Sequence, residues 1–200
     1  MSIDINQNED KNEDKLKDEC GVFGIFGHSR ASELTYLGLF SLQHRGEESA
    51  GIAACIEGEI TCRKAMGLVG ENFDEDILQE LPGTSAIGHV RYSTTGTSNI
   101  KNAQPILVDY SRGQIAVAHN GNLINAKILR DELEAHGAIF SSTVDSEIFI
   151  HLMADPTYRN QKEAIFNAIK KVRGAYSLVV LTGDALIGMR DPHGFRPLCI

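Results

Sequence analysis

No apolar run in the 200 residues comes near the roughly 20 that a membrane span needs, and the N-terminus lacks the apolar core of a secretory signal. A membrane-embedded or secreted protein is therefore disfavoured, and a cytoplasmic location is expected. Basic side chains are scarce. Nineteen Lys and Arg stand against 27 Asp and Glu for a net charge of −8, with no basic cluster and no aromatics among the basic residues, so nucleic acid is a poor candidate partner. Cysteine is scarce too. Cys20, Cys55, Cys62 and Cys199 are too few and too scattered for a disulfide scaffold, and Cys55 and Cys62 are not spaced as a zinc clip. Cys55, Cys62 and Cys199 read as small buried hydrophobes in a reducing compartment. What remains, 42% hydrophobic and 23% charged, is the composition of an ordinary globular domain of one unit or one unit plus an appendage.

The appendage is residues 1–19. They carry seven acids against three lysines, half of the net charge, and no aromatic residue. Such a segment cannot bury enough surface to offset its ordering entropy, which predicts a flexible leader. At Cys20 the composition changes abruptly into a glycine-punctuated apolar strand at 22–26. An all-round apolar helix follows at 31–42, then strands at 50–56 and 59–64 joined at Glu57-Gly58, and further strands at 85–92 and 114–119. Helices are predicted at 125–136, 145–154 and 161–172, the last capped by Asn160 with Glu163 three residues on. Strands at 175–181 and 185–190 close the pattern, and Cys199-Ile200 reads as the inside of one more strand, so the chain is expected to be truncated there. Hairpins outnumber β-α-β units, which predicts an α+β fold of antiparallel sheets with helices outside.

The chemistry is suggested by residue types at the ends of these elements. A cysteine at a chain terminus joins a nucleophilic thiol to an amine titrating at about 7.7–8.0, a base poised for neutral pH. While Glu19 is attached, that nitrogen is a planar amide, so cleavage between Glu19 and Cys20 would activate the site. Taken alone, a buried structural Cys20 is the commoner case. Asn120-Gly121 offers an amide and a backbone N–H to an oxyanion, or simply a tight hairpin turn. Arg91 ends a strand before the polar loop Tyr92-Ser93-Thr94-Thr95-Gly96, and either grips a substrate carboxylate or pairs with a neighbouring acid. Asp145 either binds an ammonium group or caps a helix, and Arg45 either faces the site or favours a helix dipole.

Read together, Cys20-Gly-Val-Phe-Gly-Ile, Leu42-Gln-His-Arg-Gly-Glu-Glu-Ser-Ala-Gly51, Gly88-His-Val-Arg-Tyr-Ser-Thr-Thr-Gly96, Ala118-His-Asn-Gly-Asn-Leu123, Asp145-Ser-Glu147 and Asp191-Pro-His-Gly-Phe-Arg-Pro-Leu198 resemble the N-terminal class II glutamine amidotransferase domain of the amidophosphoribosyltransferases, in order from Cys20 to Ile200. The resemblance implies a four-layer αββα N-terminal-nucleophile hydrolase sandwich with two antiparallel sheets. It implies Cys20 as nucleophile, Asn120 and Gly121 as oxyanion hole, Arg91 on the carboxylate of L-glutamine, Asp145 on its amine and Arg45 near the thiol, with Tyr92 and Thr94 completing the substrate site. It also implies that the leader is a propeptide, and that the chain assembles as a homo-oligomer.

Nothing in the sequence resembles the phosphoribosyltransferase domain that the family adds, and no phosphate-loop motif occurs. That domain is the missing partner. The family implies magnesium and, in its propeptide-bearing branch, an iron–sulfur cluster, both bound outside residues 1–200. With Cys20 committed, the three other cysteines cannot build a four-thiolate site, so no cofactor is expected on this chain. The alternatives are a glutaminase domain serving another acceptor and a non-catalytic module that senses glutamine.

Overall fold

A computed structural model describes residues 20–92 and 99–200. Two four-stranded sheets, both antiparallel, form its centre. In the first, β1 (Gly21–Phe26), β4 (Ser85–Arg91), β2 (Ser49–Ile56) and β3 (Glu59–Met66) lie in that spatial order. In the second, β5 (Ile106–Tyr110), β6 (Gly113–Leu123), β7 (Gly174–Thr182) and β8 (Leu186–Arg190) follow one another. β2 and β3 turn at Glu57-Gly58, where both residues take positive φ (52° and 90°), the backbone that a two-residue hairpin favours.

Alternation along each strand gives each sheet two working faces. The outer face of the first sheet, through Ala50, Ile52, Ala54, Ala86 and Val90, packs under α1 (Ala31–Leu42), with Val69 of α2 (Val69–Asn72) and the segment around α3 (Glu75–Gln79) at its rim. The outer face of the second sheet, through Ile115, Val117, Leu178 and Val180, packs under α5 (Ser146–Met153) and α6 (Gln161–Lys171), flanked by α4 (Ala126–Ala135). The inner faces meet through Ala53, Cys55, Ile87, Ala116, Ala118, Val179 and Leu181. The layers therefore run helix, sheet, sheet, helix, and the α+β sandwich expected from the sequence is the fold. Small residues bring the sheets together: a Cβ on Gly24 would stand 2.8 Å from Val179 Cγ1, which accounts for the glycine punctuation of β1. No helix among the described residues is long and apolar enough to cross a membrane.

Several elements differ from the sequence reading. α1 is not buried all round: Leu37 and Phe40 are exposed, while Ala31, Ser32, Thr35 and Leu39 face the sheet. Its inward side is built from small residues, and Gly38 lies against the Phe23 ring. Residues 197–200 form no strand, and Cys199 is exposed rather than buried. The predicted strand at 114–119 runs on to Leu123, because its pairing with β7 continues to Leu123↔Gly174. The cap on α6 is as predicted, with Asn160 Oδ1 accepting from Glu163 N at 2.9 Å.

Candidate active site

Followed toward one end, the seam between the sheets turns polar. On β4 the inner face passes from Ile87 to His89 to Arg91, and on β2 from Ala53 to Gly51 to Ser49. Across the seam, Ala118 gives way to Asn120, and Val179 to Ser177, which pair with each other in the β6–β7 register. On β1 the matching positions are Gly24, Val22 and then Cys20, one residue ahead of the strand. Cys20 is half-buried at this end, its Sγ donating to Tyr92 O at 3.7 Å, while Arg45 Nε donates to Cys20 O at 3.4 Å. Burial pushes the thiol above its ordinary range, more than the Tyr92 carbonyl and the nearby Arg91 guanidinium pull it down, and Asp145 adds to the rise.

The facing wall is an unpaired length of β6. β5 begins at Ile106, opposite Val117, so from His119 onward that edge of β6 has no neighbouring strand. Side chains occupy it instead. Gln104 Oε1 accepts from His119 N at 2.8 Å, and His89 Nε2 bonds His119 O at 2.9 Å. Asp145 Oδ2 accepts from Leu123 N at 2.8 Å. Main-chain groups alternate sides along a strand, so the N–H of Gly121 leaves on this same edge, between the two that side chains hold. Gly121 has φ of 143°, and a Cβ there would stand 2.1 Å from Ala175 O, so only glycine fits. Asn120, beside it, is buried with its Oδ1 unpartnered among the described residues.

Asp145 stands at the start of α5 without capping it; no side-chain cap bond is present. Its carboxylate turns inward to Leu123 N and to His119 Nδ1 at 3.2 Å. Burial would raise its pKa, but the His119 ring and the Leu123 N–H outweigh burial and hold it below the ordinary carboxyl range. Glu147, buried two residues on, accepts from the N–H and hydroxyl groups of both Ser141 and Ser142, fixing the loop that precedes Asp145. Arg91 is buried, with Nη1 on Glu48 Oε1 at 3.1 Å.

The structure thus gathers Cys20, Arg45, Arg91, Tyr92, Asn120, Gly121 and Asp145 at one end of the seam. Thr94 and Glu19 lie outside the described residues. Two local readings change. Asn120-Gly121 is strand interior rather than a hairpin turn, and Asp145 orients a strand end rather than capping a helix. Glu48, His89, Gln104, His119 and Glu147 were not singled out from the sequence. Four of them, all but Gln104, sit inside the quoted motif segments, but their partners are 30 or more residues away in two cases, Glu48 with Arg91 and His89 with His119. The cysteines do not fit an iron–sulfur cluster: Cys55 and Cys62 contact Gly183 O and Pro105 O, and Cys199 is exposed.

Known proteins resemble the chain in sequence and in fold. Residues 89–200 match a family profile described as a glutamine amidotransferase domain. The chain is similar to amidophosphoribosyltransferase 1, chloroplastic, of Arabidopsis thaliana, 50% identical over 190 residues that cover 94% of this chain and 34% of that protein. It is also similar to an amidophosphoribosyltransferase of Staphylococcus aureus, 45% identical over 92% of this chain and 38% of the relative. Among solved structures, the glutamine phosphoribosylpyrophosphate amidotransferase of B. subtilis, complexed with ADP and GMP, superposes with a TM-score of 0.83 at 42% identity over 88% of this chain and 38% of that one. The chain spans little more than a third of the length of these relatives.

Proposed function

The chain belongs to the glutamine amidotransferase domain family, and from that premise we propose that it is the glutaminase part of an amidophosphoribosyltransferase, hydrolysing L-glutamine through Cys20. The observation that carries the reading is the Cys20 thiol at the polar end of the seam, with Arg91 and Asp145 both within electrostatic reach of it and Asp145 in turn bonded to Leu123 N on the open edge of β6.

Removal of residues 1–19 leaves Cys20 with a free α-amine. The thiol is held above its ordinary range and so needs a base, and its own amine is the nearest one. The amine takes the thiol proton as sulfur attacks the γ-amide carbon of glutamine. The oxyanion that forms is met by the Gly121 N–H and the Asn120 amide. Collapse of the tetrahedral adduct breaks the C–N bond, the amine returns the proton to the leaving nitrogen, and ammonia departs. Water then cleaves the γ-glutamyl thioester to glutamate. Arg91, its guanidinium anchored by Glu48, takes the α-carboxylate, and Asp145, kept ionised, takes the α-ammonium. Arg45 holds the carbonyl of Cys20 and Tyr92 lends its own carbonyl to the thiol, while the resemblance assigns Tyr92 and Thr94 to substrate binding.

In the longer enzyme the ammonia converts phosphoribosyl pyrophosphate to 5-phosphoribosylamine on a phosphoribosyltransferase domain, opening purine synthesis. Magnesium and any iron–sulfur cluster belong to that remainder, and the assembled enzyme is a cytoplasmic homo-oligomer. The test is a glutaminase assay on the purified chain and its Cys20→Ala form. Glutamate and ammonia should appear in equal amounts with the first and not with the second; turnover surviving in Cys20→Ala would refute the assignment.

A further inference from the structure

Resting on the reading of Asn120 and Gly121 as oxyanion donors, we propose that His89 is the positioning residue that holds them, by clamping the His119 carbonyl of the open β6 edge from the opposite sheet. His89 is fully buried, two residues before Arg91 on the same inner face of β4. Its Nε2 meets His119 O at 2.9 Å, across the seam and directly ahead of Asn120. A carbonyl oxygen only accepts, so Nε2 carries the proton and Nδ1 is a bare lone pair. That lone pair has no partner among the described residues. Burial pushes the ring's pKa down to about 3, so the imidazole stays neutral across any working pH and the clamp does not switch.

Packing alone gives no reason for a histidine here. An apolar residue of similar volume would fill the seam without leaving a buried nitrogen unmatched. What the imidazole adds is a donor of the right reach where β5 has not begun and no main-chain N–H can serve His119 O. Gln104 does the same for His119 N, so both main-chain groups of His119 are held by side chains standing in for the absent strand. Because His89 and Arg91 share β4, the clamp also sets the distance between the group that grips one end of the substrate and the donors at its other end.

Steady-state glutaminase kinetics of His89→Leu and His89→Gln, alone and with Asn120→Ala, test this. In His89→Leu, kcat should fall by about 10²-fold, with KM for glutamine little changed and Cys20 alkylated by iodoacetamide as fast as in the parent. His89→Gln, whose terminal amide can donate at nearly the same reach, should recover most of the rate. Added to Asn120→Ala, His89→Leu should cost far less than it does alone, since both act on one group. Undiminished turnover in His89→Leu, full additivity with Asn120→Ala, or a His89→Leu chain that does not fold would each overturn the inference. A parent chain that consumes no glutamine would instead take down the functional reading beneath it.

Discussion

At one end of the inter-sheet layer Ala53, Ile87, Ala116 and Val179 close on one another as plain core. Two to four residues further along the same strands stand Ser49, His89, Asn120 and Ser177, each buried and each with a polar side-chain atom that has no partner among the described residues. One unmatched atom of this kind costs about 1–3 kcal/mol. The strands are continuous through both ends, so the apolar rows fix register and spacing, and the polar rows inherit that precision. The seam is stable at one end so that it can be reactive at the other.

Substitutions at the two ends should therefore separate rate from stability. Asn120→Ala should slow glutamine hydrolysis by about 10²–10³-fold, roughly 2.7–4 kcal/mol of transition-state stabilisation, while leaving the denaturation midpoint in place. A fall of only a few-fold would make Asn120 a structural residue and erase the contrast. Ile87→Ala, in the apolar row, should do the reverse: about 2–5 kcal/mol of unfolding free energy lost, with turnover per folded molecule close to the parent. Urea unfolding paired with active-site titration reads both quantities.

A smaller effect belongs to Glu147, which supports the loop before Asp145 from outside the seam. Burial would raise its pKa, but the Ser141 and Ser142 donors outweigh burial and lower it. Its contribution is thus present above the ordinary carboxyl value of about 4.3 and is lost as pH falls through the lower folded-state value. Glu147→Gln should cost about 1.5–3 kcal/mol at neutral pH and flatten the acid limb of the stability profile. An unchanged acid limb would mean that the loop holds Asp145 without help.

Much of this was legible in the sequence, and the failures have causes. The α1 boundaries and the α6 cap were readable because they depend on neighbours three or four residues away. β1, at Gly21–Phe26, was readable from its glycine-punctuated apolar run. Asn120-Gly121 looked like a turn because local preference favours one, yet nine consecutive pairs between β6 and β7 carry the strand through it. Asp145 looked like a cap until Leu123 N and His119, both distant in sequence, claimed its carboxylate. β5 went unread, and with it the fact that matters most here: its start at Ile106, opposite Val117, leaves the edge of β6 beyond it open. The resemblance named the chemistry, but only the sheet topology shows that the edge of β6 beside Gly121 has no strand next to it.

The most direct test is intact-mass and N-terminal analysis of the purified, glutamine-consuming chain, followed as the leader is lost. The account predicts that the active species begins at Cys20 and that glutaminase activity rises in proportion to it. Full activity in molecules that still carry residues 1–19 would contradict it.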